Sequence, residues 1–257
     1  MTAADGTVGV GDTVGDTVGH PARGCVPLSL SIGRSIAIVM PMATHDPAVA
    51  STAERVEQAA LRLFALRGFE GTGIRSIADE AGITLGSLYH YIGTKEDLLD
   101  RLMQKSMRGL LDPGREIVET TESPRERIVK LVELHVRRHA EDNLLSIVGD
   151  AEIRSLTPAR RRKAVALRDA YEALWEETIS DGSRRGDFHV PDVKLATFAL
   201  LEMCSGVAYW YSSNGRLSLD AITKAFVEMA LSLLGVEPPV TQPDARPGGG
   251  RRRGVHP

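Results

Sequence analysis

Residues 68–98 read GFEGTGIRSIADEAGITLGSLYHYIGTKEDL, a run in which apolar side chains recur at helical spacing on both sides of Gly82. The run predicts two short helices joined by a tight glycine turn. Thr72 suits the N-cap of the first helix, and Thr84 suits the N-cap of the second. The second helix has too few inward-facing side chains to be stable alone, so neighbouring helices must hold it. This arrangement predicts a helix-turn-helix unit, whose last helix lies in the DNA major groove.

A longer amphipathic helix is predicted just before this run, at residues 51–67. Its apolar face is formed by Val56, Ala60, Leu63 and Phe64. Gly68 suits a left-handed cap at the end of this helix. After the run, Thr94 is expected to cap a fourth helix that begins at Lys95, so that a cation and a helix N-terminus face the same phosphate region.

The spacing of these residues over some thirty positions resembles the DNA-binding domain of the TetR family of bacterial transcriptional regulators. The resemblance covers about residues 56–99. The shared residues are Gly68-Phe69, Thr72, Ile77-Ala78, Ala81-Gly82-Ile83-Thr84, Gly86, Leu88-Tyr89, Tyr91, Lys95 and Leu98. So many fixed spacings make this signal far more specific than a single glycine turn.

The resemblance implies a set of contacts with an operator. The residues expected to touch phosphates are Thr72, Thr84, Tyr89, Tyr91 and Lys95. The residues expected to reach bases include some of Arg75, Leu85, Ser87 and His90, and Gly86 allows a close approach of backbone to DNA. Phosphate contacts would fix the register and base contacts would give specificity.

This chain departs from the family pattern at two positions. Gly73 replaces a second hydroxyl that is frequent there, which removes one expected phosphate contact, and Ile92 replaces a phenylalanine. Simpler interpretations also stay open, because Tyr89 or Tyr91 could serve only in packing and Arg75 could be only a solvated charge.

Charge predicts no broad basic surface on the DNA-binding unit. Residues 51–101 hold six Lys or Arg against eight Asp or Glu, and the whole chain has a formal net charge of −3. Operator affinity is therefore expected to come from a few aligned contacts that a dimer doubles.

Composition and pattern divide the 257 residues into four predicted segments. Residues 1–48 form a low-complexity leader and residues 237–257 a Pro/Gly-rich tail, both expected to be disordered. Residues 49–96 form the DNA-binding domain, and residues 97–236 form a helical domain for ligand binding and dimerisation. The native start could be Met1, Met40 or Met42. Two cysteines give neither a disulfide framework nor a zinc site, which favours a reducing cytoplasm, and the apolar residues 26–40 are too short to span a membrane.

The larger domain is predicted to be helical throughout, so the fold class is all-α. A helix from Thr94 is expected to stop near Asp112-Pro113-Gly114. Others are expected from Pro124, over residues 143–155, and from Pro158 to about Gly182. Two final helices, residues 193–211 and 218–234, are apolar on more than one face and need a covering partner. They predict a four-helix bundle between two copies, so the operator should be an inverted repeat.

Part of the larger domain is similar to the branch of the family that includes acyl-CoA-responsive repressors of lipid, steroid or aromatic-acid breakdown. The residues of this looser resemblance are His135, Glu152, Arg154, Leu156, Arg168-Asp169, Gly182, Gly186, Phe188, Ala208-Tyr209-Trp210-Tyr211 and Gly215. A cavity that suits an apolar effector with one polar or anionic part is expected between the helices. Its predicted lining is His135, His139, Arg168, Tyr171, Trp175, Leu200, Met203 and Trp210. The alternative is that these residues fill the core and leave no cavity.

Other classes of function find less support. His135 and His139 have the i, i+4 spacing of a helical metal site, with Glu152 as a third ligand, but Arg137 and Arg138 between them disfavour a cation, so no metal or cofactor is predicted. We find no nucleophile with a base and no phosphate loop, so an enzyme is disfavoured. A ligand-binding or adaptor protein without DNA binding remains a second hypothesis. The first is a ligand-responsive repressor, in which the effector moves the Thr94 helix and changes the spacing of the two reading helices.

Overall fold

The computed structural model describes residues 51–236. The expectations for the leader, the tail and the native start at Met1, Met40 or Met42 lie outside the described residues. Within the described range the structure is helical and contains no β-strand, which confirms the all-α fold class. The α-helices are α1 (Thr52–Arg67), α2 (Ile74–Glu80), α3 (Leu85–Leu88), α4 (Lys95–Thr120), α5 (Pro124–Glu141), α6 (Asn143–Glu152), α7 (Pro158–Arg185), α8 (Val193–Ser205), α9 (Val207–Trp210) and α10 (Leu219–Leu233), with a short 3-10 helix at Ile153–Ser155.

Polar side chains begin α1, α3 and α4, largely as the sequence predicts. The hydroxyl of Ser51 accepts a hydrogen bond from the amide of Glu54, whose carboxylate accepts one from the amide of Ser51. Thr94 and Asp97 form the same reciprocal pair at the start of α4. Each pair satisfies two backbone donors that a helix N-terminus leaves free, so the boundary is encoded locally.

The turn glycines also match the prediction in part. Gly68 and Gly82 both have positive φ, +72° and +67°, where a side chain is strained. Gly68 has ψ 167°, so it is not the left-handed helical cap that the sequence predicted. α3 is only one turn long and continues as a turn to Ile92, whose side chain is buried beside that of Leu88 in the same core.

The predicted end of α4 near Pro113 is wrong, because the helix runs on to Thr120. Proline in a helix interior removes one backbone donor and normally ends or kinks a helix. Here Gly114 is buried, and a Cβ at this position would lie 3.1 Å from side-chain atoms of both Leu174 and Tyr171. Close packing of α4 on α7 thus outweighs the local signal.

The predicted end of α7 near Gly182 is wrong for a related reason. The helix continues to Arg185 and ends at Gly186, which has left-handed φ and ψ of 81° and 11°. Gly182 is buried inside the last turns and leaves room for the ring of Phe188, which folds back onto the helix. This glycine serves packing, whereas Gly186 is the cap.

The predicted helix of residues 193–211 is divided at Gly206 into α8 and α9. Asp192 caps α8 by accepting a hydrogen bond from the amide of Leu195 at 2.8 Å. Glycine has low helix propensity, and the four residues of α9 contact α5 and α6. In α10 the hydroxyl of Ser218 caps the helix by accepting a hydrogen bond from the amide of Ala221, and Gly235 follows the helix with positive φ.

Two hydrophobic cores organise the described residues. The first core lies among α1, α2, α3, the first half of α4, α6 and the start of α7. Leu145, Val148 and Ala164 are among its residues from the larger domain. The other lies among α5, α7, α8 and α10, with Trp175 and Leu200 fully buried. α4 contributes to both cores, so it connects the predicted DNA-reading unit to the larger helical domain. None of the helices in residues 51–236 is long and apolar enough to cross a membrane.

Candidate functional site

The side chains predicted to reach DNA surround a buried scaffold in α2, α3 and the turn after them. Leu88 and Ile92 point into the core, whereas Tyr89 is 54 % exposed and Tyr91 is 39 % exposed. The remaining exposed members of the predicted set are Arg75, Thr84, Gly86 and His90, while Leu85 and Ser87 are half-buried. The exposure of both tyrosines disfavours a role in packing alone, because a packing aromatic is normally enclosed.

Thr84 holds the first turn of α3. Its hydroxyl oxygen accepts a hydrogen bond from the amide of Ser87 at 3.1 Å, and its proton is donated to the Ser87 hydroxyl at 3.0 Å. The prediction of Thr84 as the N-cap is confirmed. Because the proton of Thr84 is engaged locally, the Ser87 hydroxyl is the better placed of the two to donate outward.

Thr72 has a different role from the predicted one. Gly73, not Thr72, is the N-cap of α2, and it makes no side-chain cap bond. Thr72 is 1 % exposed, and its hydroxyl lies 2.8 Å from the carbonyl oxygen of Gly68 and 3.1 Å from that of Leu63. A buried hydroxyl that donates to backbone cannot reach a phosphate without local unfolding. The predicted phosphate contact of Thr72 is therefore corrected to a structural role at the end of α1.

Replacing Thr72 with valine, which keeps the shape and removes the hydroxyl, tests this role. We expect the free energy of unfolding to fall by about 1–2 kcal/mol, because the two carbonyl groups that share the hydroxyl proton lose it. Urea denaturation followed by circular dichroism measures this change. Operator affinity, measured well below the unfolding midpoint, should change by less than about threefold. Unaltered stability together with weakened operator binding would instead restore Thr72 as a phosphate contact.

Lys95 fastens α4 to the loop between α1 and α2. Its ammonium donates to the carbonyl oxygens of Phe69 at 2.8 Å and Thr72 at 3.0 Å, and it lies 4.1 Å from the centroid of the Phe69 ring. An ammonium has three donors, so one remains for a phosphate. The sequence predicted the cation at this helix start but not its bonds to a segment 23 to 26 residues away.

Three further polar residues support the reading surface, and the sequence predicted this role for none of them. Arg101 of α4 donates to the carbonyl oxygen of Tyr91 at 3.1 Å and lies 3.9 Å from the carboxylate of Glu57. Glu152 and Arg160, from the larger domain, contact the loop after α1 and the start of α4. Charged residues on exposed helix faces are common, so no local pattern distinguished these from solvated charges.

Most of the predicted effector residues pack together in the core, and the others lie at the edge of this group. His135 and His139 stack at 4.0 Å between ring centroids, and the rings of Tyr171 and Trp175 contact His135. His135 Nδ1 is 3.2 Å from the Tyr171 hydroxyl, and its Nε2 is 3.0 Å from the Ser205 hydroxyl. Leu200 and Met203 belong to or pack against the same core. Arg168 is half-buried beside Asp169, and Trp210 is half exposed against Phe226.

Burial keeps this group uncharged near neutral pH. The pKa of His135 is well below its usual value because burial disfavours the imidazolium, and the neighbouring His139 adds to the effect. Burial also lowers the pKa of His139, although its bond to the backbone carbonyl of His135 opposes the shift. Burial raises the pKa of Tyr171. The result is a neutral, aromatic and hydrogen-bonding cluster.

The described structure presents this cluster in a closed arrangement. A pocket of about 180 Å³ lies between α4, α5 and α6, and another of about 480 Å³ lies beside α5 and α10, but neither is lined by any predicted effector residue. Trp175 Nε1 is buried and finds no acceptor among the described residues. Of the predicted lining, His135, His139, Tyr171, Trp175 and Leu200 are buried and packed together in this structure, whereas Arg168 and Trp210 are not.

An acidic group lies at the margin near Arg168. The pKa of Asp150 is raised to about 6, first because protein atoms surround its carboxylate and second because Glu202 repels its negative charge, while Arg168 opposes the shift. Asp150 as a residue is nevertheless exposed to solvent, so the burial of its carboxylate is incomplete. Tyr209 is hydrogen-bonded to this carboxylate.

The third suggested metal ligand does not join the histidine pair. Glu152 accepts hydrogen bonds from the amide of Phe69 at 3.0 Å and from the Ser155 hydroxyl at 2.7 Å, beside the other core. In residues 51–236 no group of three or more His, Cys, Asp or Glu side chains is arranged to hold a metal ion.

Two known families match successive parts of the chain. The family described as "Bacterial regulatory proteins, tetR family" matches residues 58–102, which include α2, α3 and the start of α4. The family described as "Tetracyclin repressor-like, C-terminal domain" matches residues 121–234, which include the packed histidine cluster.

Individual proteins similar to this chain are transcriptional regulators. The HTH-type transcriptional repressor KstR2 of Rhodococcus jostii is 32% identical over 178 residues, which is 67% of this chain and 85% of that protein. The structure of the ketosteroid transcriptional regulator KstR2 of Mycobacterium tuberculosis is 26% identical, with a TM-score of 0.66 over 72% of this chain and 95% of its own. The structure of AibR in complex with isovaleryl coenzyme A and operator DNA is 27% identical, with a TM-score of 0.62 over 70% and 97% of the two chains.

Proposed function

The chain belongs to the TetR family of bacterial transcriptional regulators, and we propose that it is a repressor that binds an inverted-repeat operator as a dimer and releases it when a small effector binds. The proteins similar to this chain are transcriptional regulators, which supports a role as a regulator rather than an enzyme. The observation that carries the proposal is the set of exposed tyrosine, arginine and histidine side chains around the buried Leu88 and Ile92. We also propose that the protein acts in the cytoplasm, where its DNA is.

The phosphate contacts proposed for the operator are those of Tyr89, Tyr91, Ser87 and the third donor of Lys95. Arg75 and His90 are the proposed base contacts, because both are exposed and neither is paired with another described side chain. With so few cations in this part of the chain, binding depends on alignment of these groups more than on a general positive field.

Exposed apolar side chains on the last helices support the dimer. Leu195 of α8 is 65 % exposed, and Met229 and Leu233 of α10 are also exposed. Side chains of this size at helical spacing on two adjacent helices are expected to be covered by the same face of a second copy. The proposed interface is thus α8 and α10 from each subunit, with Trp210 at its margin.

The proposed effector is an acyl-CoA thioester or a related acid with an apolar body. The AibR structure contains isovaleryl coenzyme A, and the KstR2 structure is that of a ketosteroid regulator. In this chain the apolar part would occupy the region of His135, Tyr171 and Trp175, and Arg168 would face its polar part. Because these side chains are packed in the described structure, the effector must select or induce an opened arrangement of α7 and α8.

Movement of α7 would reach the DNA-reading elements through α4. Gly114 of α4 packs directly on Tyr171 and Leu174 of α7. At its other end α4 holds the loop after α1 through Lys95 and the end of the reading turn through Arg101. A shift of α4 would therefore carry the reading elements with it and change their spacing in the dimer.

Replacing Tyr89 with phenylalanine tests the operator contact. Footprinting on the DNA beside the protein's own gene should first show protection of a palindrome. Each half-site then loses one hydroxyl bond of about 0.5–1.5 kcal/mol, so we expect dimer affinity for that duplex to fall about 5- to 150-fold. Fluorescence anisotropy measures the affinity. Tyr211→Phe, in the larger domain, is the control and should bind as the unmodified protein does. No protection even at low salt would favour the ligand-binding or adaptor alternative.

A further inference from the structure

A polar joint connects the larger domain to the first turn of α4. The guanidinium of Arg160, in the first turn of α7, is paired with Asp97 through Nη2. Its Nε lies 3.8 Å from the carboxylate of Glu96 and 4.0 Å from that of Asp100. The backbone amide of Thr157 donates to Glu96 at 2.9 Å. The beginning of α7 therefore binds three carboxylates within the first six residues of α4.

Asp97 links this joint to the cap of α4. One of its oxygens faces Arg160, and the other accepts the amide of Thr94 at 2.7 Å. Arg160 lowers the pKa of Asp97 to about 2, with the Thr94 bonds contributing next. Lys95 lies between Thr94 and this cluster in sequence and holds the loop after α1. Asp97 therefore contacts both Arg160 and the cap of the helix whose Lys95 positions the reading elements.

A second contact comes from the same part of the chain. Glu152, at the end of α6, accepts the amide of Phe69 at 3.0 Å and the hydroxyl of Ser155 at 2.7 Å. Lys95 binds the carbonyl oxygen of that same Phe69. The short connection from Glu152 to Arg160 therefore contacts both the loop after α1 and the start of α4.

The charges of the joint are imperfectly matched. One guanidinium faces three carboxylates, and both Arg160 Nη1 and Asp100 Oδ1 are buried without a hydrogen-bond partner among the described residues. The four side chains are partly exposed, but a polar network that leaves buried atoms without partners is not in its most favourable arrangement for stability alone. Such a network can exchange one set of bonds for another at small cost, which is what a two-state connection requires.

Arg160 shares one continuous helix with the packed aromatic cluster. Arg168, Tyr171 and Trp175 follow it by 8, 11 and 15 residues in α7, which corresponds to about 12–22 Å along a rigid helix. We propose that Arg160, supported by Glu152, is an allosteric joint that passes displacements of α7 to the N-terminal end of α4. The proposal rests on the proposed repressor function for its purpose, but the joint itself is a property of the free protein.

A double-mutant cycle on the free protein tests the coupling. Trp175→Phe perturbs the far end of α7, and Arg160→Gln removes the joint. Hydrogen exchange of the amides of residues 97–100 reports the start of α4. We expect Trp175→Phe to change these exchange rates at least fivefold when Arg160 is present and less than twofold in the Arg160→Gln background. Arg162→Gln, an exposed arginine of the same helix turn, is the control and should leave the Trp175→Phe effect unchanged.

The same cycle is then measured on operator affinity. We expect Trp175→Phe to alter the dissociation constant only when Arg160 is present. An equal change in both backgrounds, including no change in either, would overturn the joint. If Trp175→Phe does not fold, Tyr171→Phe takes its place in α7. Failure of the unmodified protein to bind any operator would contradict the proposed function, whereas the exchange measurements would still decide whether the joint exists.

Discussion

Replacing Gly182 with alanine is expected to lower the free energy of unfolding by about 2–3 kcal/mol, an overpacking penalty at the upper end of the usual range. The added Cβ would lie 2.2 Å from Cδ2 and 2.3 Å from Cε2 of the Phe188 ring. The ring cannot move away easily, because the amides of Asp187 and Phe188 both donate to the carbonyl oxygen of Gly182. Either Phe188 must leave the core or α7 must shift. Guanidinium denaturation followed by circular dichroism measures the loss.

Gly109→Ala is the matched control, because Gly109 is also inside a helix. The nearest atom that its Cβ would meet is Arg138 Cζ, at 3.9 Å, which is ordinary contact. Alanine restricts the unfolded chain and favours helix, so this variant should be more stable by about 0.5–1 kcal/mol. Equal stability of the Gly182→Ala variant and the unmodified protein would show that Phe188 does not pack on α7 in solution.

The second large effect is a loss of stability at acidic pH that is caused by the buried histidine cluster. Burial holds the pKa values of His135 and His139 below 6.5 in the folded protein. Below pH 6.5 the unfolded chain therefore binds protons that the folded chain does not, and stability falls by up to about 1.4 kcal/mol per pH unit for each histidine. His135→Gln, which stays neutral, should lose about 1.4 kcal/mol less than the unmodified protein between pH 7.5 and 5.5. Urea denaturation at several pH values measures both proteins.

Protonation of Asp150 changes the free energy of unfolding in the opposite direction. This contribution is the same in both proteins, so it cancels in the comparison. Its folded pKa is raised to about 6, so the folded protein binds this proton first and gains stability as pH falls from about 6 towards 4. Both proteins keep Asp150, and only one keeps His135. Parallel stability curves for the two proteins would mean that His135 is accessible to protons, and hence that the cluster is open in solution. The experiment therefore also reports whether the proposed effector region is closed.

The helix boundaries set by local chemistry were predictable from the sequence. Ser51, Thr84, Thr94 and Ser218 each accept a backbone amide within three residues of their own position, so composition over one turn was enough to place them. In α5 the apolar residues Ile128, Leu131 and Val132 recur at helical spacing and are buried together with both histidines. The resemblance to the TetR family, carried by residues 68–98, is confirmed by the family matches.

The errors at Pro113, Gly182 and Thr72 share a different cause. Each of these residue types usually breaks, ends or begins a helix. Here each residue instead lies where packing, or a contact with a residue further along the chain, decides the structure. α4 passes through Pro113 beside a glycine pressed on α7, Gly182 accommodates Phe188, and Thr72 donates to carbonyl groups at the end of α1. Tertiary packing provides more free energy than a local propensity, so it decides such positions.

By itself, the sequence determined that this protein is an all-α regulator with a helix-turn-helix. Helical periodicity, helix caps and the family spacings each depend only on residues that are close together in sequence. Only the tertiary structure decided what Lys95, Glu152 and Arg160 do. Their partners lie 23 to 83 residues away, and an exposed charge has the same local pattern whether it is solvated or paired. The residues of the predicted effector cluster were named from the sequence. Their close packing, however, depends on contacts among α5, α7 and α8, which the sequence of a single helix does not encode.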